Sequence, residues 1–94
     1  MKITGFIWLA YFVDKLEQKH NVESDEVEAV FEHDVLIKRA EKGHRPDEDV
    51  YAAYGQTNAG RYLVVFFVYK QDRRALIISA RDMTPTERRY YGRQ

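Results

Sequence analysis

The hydrophobic pattern of this chain changes period several times, and each change predicts an element. Residues 3–7 are short and apolar and read as a strand. From Trp8 the period becomes helical: Leu9, Phe12, Val13, Leu16 and His20 fall on one stripe, with Asp14, Lys15, Gln18 and Lys19 off it. Asn21 suits a left-handed stop. Ser24 predicts the N-cap of a second helix, with Asp25, Glu26 and Glu28 in the first turn, where the helix dipole favours negative charge. Val27, Val30 and Phe31 form its inner face, and it ends near Glu32.

Beyond that point the pattern is that of a sheet. Residues 35–39 read as a strand, and the polar run 41–49, with a glycine and a proline, as a loop. Residues 50–57 form the next strand, and Asn58-Ala59-Gly60 a hairpin turn whose glycine supplies positive φ. Residues 61–70 and 75–80 are apolar on both faces and predict central strands, joined by a turn at 71–74. Thr84-Pro85-Thr86-Glu87 then has the signature of a helix start: threonine cap, proline at N1 and a glutamate that reaches back to the cap. The sum is one α+β domain over residues 1–94. It has a small, mostly antiparallel sheet of about four strands, two N-terminal helices and a short C-terminal helix.

Composition narrows the class. Apolar residues make up 45% of the 94, enough for a folded core. No cysteine is present, so disulfides and thiolate metal sites are excluded. The apolar stretch 3–13 is too short to span a bilayer, and it lacks the basic start and cleavage site of a signal peptide. A cytoplasmic protein without membrane contact is expected. The net charge is zero but unevenly spread: residues 1–60 hold 7 Lys+Arg against 12 Asp+Glu, and residues 61–94 hold 8 against 3. Either the two parts attract each other on folding, or the C-terminal third meets an anionic partner.

Candidate chemistry concentrates in that third. His20, His33 and His44 lack metal-ligand spacing, and no metal or cofactor is expected. Nucleotide-binding glycine motifs and a serine-hydrolase elbow are absent. What remains is a set of arginines. Arg61 starts the central strand, Arg81 ends the last one, and Arg88 and Arg89 come next in the tail. A guanidinium presents a planar fork of donors that matches phosphate oxygens. Tyr90 and Tyr91 add ring faces for bases and hydroxyls for phosphate, which suits RNA. Plainer readings stand beside these. His20 fits a hydrogen-bonded core histidine, Arg88 and Arg89 a solvated face, Glu87 a capping residue, and one of the two tyrosines a packing contact.

The order of these segments resembles the BrnT family, toxins of type II toxin–antitoxin systems with a RelE-like fold. Lys19-His20-Asn21-Val22 resembles the family's K-H-G-V, and Ser24 to Phe31 its short acidic helix ending in V-F. The aliphatic strand ending at Gly55, then Arg61 and the valine-rich strand, resemble its middle. Ile78-Ser79-Ala80-Arg81, then Glu87-Arg88 and a tyrosine, resemble its I-S-A-R and E-R-x-x-Y. The resemblance implies a ribonuclease that cleaves RNA without metal, by attack of the ribose 2′-hydroxyl on the adjacent phosphate. It implies Arg81 and Arg61 at that phosphate, Arg88 beside them, and His20, Glu87 or a tail tyrosine for proton transfer. A ribbon-helix-helix antitoxin, masking the arginines with an acidic or helical segment, is the implied partner, in a toxin–antitoxin heterotetramer or beside a toxin homodimer. The chain departs from the pattern at Leu9 and Leu16, and at Val50 and Leu76, which are apolar where relatives carry charge. Those losses favour the alternative, a catalytically silent module that binds RNA or protein.

Overall fold

The computed structural model describes residues 1–45 and 48–93; Pro46 and Asp47 of the predicted loop, and Gln94, lie outside them. Five strands form one mixed sheet: β1 (Gly5–Ile7), β2 (Leu36–Glu41), β3 (Val50–Gln56), β4 (Tyr62–Tyr69) and β5 (Arg74–Asp82), in the order β1-β5-β4-β3-β2. The expected four-stranded count is corrected to five because residues 5–7 pair parallel with Arg74, Ala75 and Leu76 of β5 and so join the sheet as an edge. The other three pairings are antiparallel, as expected of hairpin-connected strands.

Helix α1 (Ala10–Lys15) runs into a π-helical turn (Leu16–His20), which Asn21 ends at φ 51° in the left-handed region. Helix α2 (Ser24–Val30) starts one residue earlier than the sequence suggested. Its cap is Glu23, which forms a reciprocal capping box with Glu26. Leu16, Val22, Val27 and Val30 press on one face of the sheet against Ala53, Leu63, Val65, Phe67 and Ile77, all buried. Gly55 permits this contact: a Cβ there would lie 2.9 Å from Val30 Cγ1 and 3.1 Å from Val30 O. Leu9, placed on the buried stripe by periodicity, is instead the exposed N-cap of α1.

Helix α3 (Pro85–Gly92) covers part of the other face. Thr84 accepts from the Glu87 amide, and the Glu87 carboxylate accepts from the Thr84 amide at 2.8 Å, the predicted box. Both tail tyrosines pack, where one was expected. Tyr90 meets the Tyr54 ring edge-on, Tyr91 meets Tyr62, and the Tyr91 hydroxyl donates to Asp34 O at 2.6 Å. On an eight-residue helix lying flat on a sheet, adjacent positions can straddle the contact line, so the two rings take opposite flanks of it.

Candidate functional site

Strand alternation decides which arginines meet. Along β4, Leu63, Val65 and Phe67 face α1 and α2, while Tyr62, Val64 and Phe66 face α3. In β5, Ala75 and Ile77 are on the helix-pair side. The register then slips: Phe67 pairs with Ile77 but Phe66 pairs with Ser79, leaving Ile78 as the extra residue of a β-bulge. The bulge inverts the parity of the residues after it. Ser79 and Arg81 thereby join the α3 face, whereas an unbroken strand would aim Arg81 at α1 and α2.

On that face Arg81 is held by Glu87. Nη1 donates to Oε1 at 2.7 Å and Nη2 to Oε2 at 3.0 Å, a bidentate pair, and Nη1 also donates to Asp82 O at 3.2 Å. The capping box already fixes the Glu87 carboxylate, so α3 and β5 position the guanidinium together. The Arg81 hydrogen bonds hold the Glu87 carboxyl well below its ordinary range, at about 2, against a smaller upward effect of burial. Arg81 is raised in turn, chiefly by Glu87. Its Nε–H and one Nη2–H have no partner among the described residues and remain available as donors.

Two further cations flank this pair on aromatic rings. Arg88 lies 4.1 Å from the Tyr62 ring centre, and Lys38 Nζ lies 4.7 Å from that of Tyr90 and 6.0 Å from that of Tyr54. Among the described residues neither pairs with a carboxylate. Arg81 itself sits 5.5 Å from the Phe66 ring centre. The surface is therefore a row of guanidinium and ammonium groups backed by Tyr54, Tyr62, Phe66 and Tyr90. Lys38 and Tyr54 were missed from sequence. Lys38 alternates with Ile37 along β2, a signal of its facing, but only the fold brings it to Tyr90, more than fifty residues away in the chain.

The remaining predicted residues lie elsewhere. Arg61 does not share a pocket with Arg81; it is on the opposite side of the sheet, where alternation from Leu63 places it. Arg61 donates to Asp82 at 2.7 and 3.2 Å, to both Glu26 oxygens at 3.3 Å, to Asn21 O at 2.9 Å and to His20 O at 3.2 Å. It ties the carbonyl end of the π-helical turn, the start of α2 and the end of β5 together. Its pKa is raised, first by the Asp82 hydrogen bond, and that of Asp82 is lowered by the same contact. His20 lies in this Arg61 cluster, half-buried, remote from the Arg81 face. Arg89 is exposed and donates to Thr86 of its own helix at 3.2 Å. Among the described residues no group of three or more His, Cys, Asp or Glu could hold a metal ion, and no helix is long and apolar enough to cross a membrane.

No curated protein matches the sequence. The crystal structure of the Brucella abortus ribonuclease toxin BrnT superposes with a TM-score of 0.60 at 19% identity, over 88% of this chain and 99% of that one. It shares the fold. Residues 13–87 match the family described as the ribonuclease toxin, BrnT, of type II toxin–antitoxin systems. That span runs from α1 through the Arg81–Glu87 pair. The chain belongs to the BrnT family of ribonuclease toxins.

Proposed function

We propose that the chain is a metal-independent endoribonuclease whose centre is the α3 face of the sheet, with Arg81 at the scissile phosphate. The observation that carries this is the bidentate Arg81–Glu87 pair, anchored in a helix cap and flanked by Lys38 and Arg88 on aromatic supports. In the reaction the ribose 2′-oxygen loses its proton and bonds to phosphorus, and the 5′-oxygen of the next nucleotide leaves and takes up a proton. The products are a 2′,3′-cyclic phosphate and a 5′-hydroxyl end. Negative charge grows on the non-bridging oxygens, and fixed donors aimed there are worth most in such a step. Arg81 supplies them. Lys38 and Arg88 hold neighbouring phosphates, Arg89 extends the track along α3, and Tyr90, backed by the buried Tyr54, offers a ring for a base. Glu87 positions Arg81; a carboxylate titrating at about 2 is a weak base at neutral pH.

Incubation with RNA in EDTA, beside Arg81→Ala, tests the reading. Wild type is expected to cleave and the variant to lose activity by about 100-fold or more; equal cleavage by both removes Arg81 from the centre. The partner under this reading is a ribbon-helix-helix antitoxin, and both proteins work in the cytoplasm. A second reading, a silent module that binds RNA without cutting it, is favoured by one observation: the candidate proton carriers His20 and Glu87 are, respectively, across the sheet and held at about 2. Growth of a bacterial host on induction separates the two. Arrest relieved by the antitoxin supports the nuclease, and unaffected growth supports the binder.

A further inference from the structure

The far side of the sheet carries the opposite charge. Residues 21–32 contain five carboxylates (at 23, 25, 26, 28 and 32) and no lysine or arginine. Folding leaves them largely unneutralised: of these carboxylates, Glu26 is the one in an ion pair among the described residues, with Arg61. Beside these acids an apolar groove of about 280 Å³ opens between the N-terminal segment, the end of α2 and β2. Ile3, Phe6, Phe31 and Ile37 line it, and Glu28 and Glu32 stand at its edge. Its floor is built of packed rings: Phe31 meets Phe6 and Phe67 edge-on at 5.2 and 5.5 Å. Glu28 is fixed by the Trp8 indole N–H at 2.8 Å, while Glu32 is exposed.

We infer that this groove is where the antitoxin docks, through a segment that sets one or two aliphatic side chains on Phe6 and Phe31 and places lysine or arginine against Glu28 and Glu32. The inference rests on the toxin–antitoxin reading for the existence of that partner, and names its docking surface. The volume is at the lower end for a small-molecule site but matches a pair of aliphatic anchors. The acidic edge selects a basic segment and rejects an acidic one. A second copy is a poorer occupant. Its basic α3, on the opposite face, would reach the acids through a head-to-tail contact, which forms a ring or a filament and not a discrete dimer, and a two-fold pairing of the groove would set acid against acid. The groove and Arg81 are on opposite faces of the sheet. A partner seated here leaves the arginine row uncovered unless a second segment wraps the edge, in contrast to an antitoxin that simply masks the arginines.

The experiment uses the full-length toxin and the antitoxin purified from their complex. Affinity is measured at fixed salt for wild type, Glu32→Arg, Ile3→Asp and Arg88→Glu, and RNA cleavage is measured for wild type and Glu32→Arg. Glu32→Arg and Ile3→Asp are expected to weaken antitoxin binding at least tenfold, Arg88→Glu to change it less than twofold, and Glu32→Arg to leave RNA cleavage unchanged. Amide exchange of the wild-type complex decides the matter even where a variant fails to fold: protection is expected over residues 28–37. Protection confined to residues 81–92, or binding lost in Arg88→Glu and kept in Glu32→Arg, overturns the proposal. So does concentration-dependent self-association of the toxin alone that Glu32→Arg abolishes, which assigns the groove to a second copy. Wild type that binds antitoxin through residues 28–37 yet leaves RNA intact would sink the nuclease reading and keep this one.

Discussion

Replacing Glu87 by glutamine tests whether one carboxylate both stabilises the fold and aims Arg81. The substitution keeps the shape and an amide oxygen for the Thr84 amide, but removes the negative charge from two hydrogen bonds of 2.7 and 3.0 Å. The carboxyl titrates at about 2 in the folded protein, against an ordinary value of 4.5. A depression of that size corresponds to about 3 kcal/mol, which solvent screening at this open surface reduces to about 1 to 2 kcal/mol. Because the folded value lies below the unfolded one, the stabilisation is complete above pH 4.5 and is lost as pH falls toward 2. Urea melts of wild type and Glu87→Gln should therefore differ by about 1 to 2 kcal/mol at pH 7, a shift in Tm of roughly 5 to 15 °C for a domain of this length. The gap should narrow below pH 4.5 and be largely lost near pH 2. A gap that stays constant across that window would refute the ion-pair account and leave only a packing role for Glu87. With RNA the variant should lose cleavage more than affinity, since Arg81 keeps its charge but not its orientation.

Three other outcomes are expected from the geometry. Arg61→Ala removes donors to two carboxylates and two helix-end carbonyls and should cost about 1 to 3 kcal/mol in thermal or urea melts, while the RNA affinity of the folded fraction stays unchanged. Lys38→Ala and Arg88→Ala should each lower RNA affinity and reduce the salt slope by about 0.7; an unchanged slope would remove that residue from the phosphate track. Gly55→Ala puts a methyl 2.9 Å from Val30 Cγ1 and 3.1 Å from its carbonyl oxygen, and should destabilise by about 1 to 3 kcal/mol in the same melts.

Much of the fold was legible because local chemistry and global structure agree. Asn21 at φ 51° and the Thr84–Glu87 box occur where the sequence placed them, since each is fixed by residues within a few positions of itself. The apolar strands β4 and β5 are central, as runs apolar on both faces require. What escaped were features set by distant partners. The strand read at residues 3–7 is there, but its place at the edge of the sheet depends on residues 74–76, with which it pairs. Glu23 rather than Ser24 became the cap of α2 because Glu26, three residues on, completes a box with it. The pairing of Lys38 with Tyr90 joins two segments that no pattern connects.

The arginines show the same division more sharply. Arg61 and Arg81 looked equivalent from sequence: each is a strand-end guanidinium beside turn or helix signals. Which face each takes depends on counting alternation through its strand, and in β5 that count is broken by Ile78. Nothing in Ala75-Leu76-Ile77-Ile78-Ser79-Ala80 marks a bulge, because every residue in it is acceptable on either face of a buried strand. The extra residue costs one irregular step in the ladder, yet it moves Arg81 from a side crowded by α1 and α2 to the α3 face, where Glu87 holds it and which also carries Lys38 and Arg88. Arg61 lies beyond no such break and stays with Glu26 and Asp82, where its charge is already matched. A guanidinium with two carboxylates and two carbonyls around it has little left for a phosphate. One with two donors still open and unneutralised cations beside it has much. The bulge, more than the number of arginines, is what sets Arg81 among the cations of the α3 face.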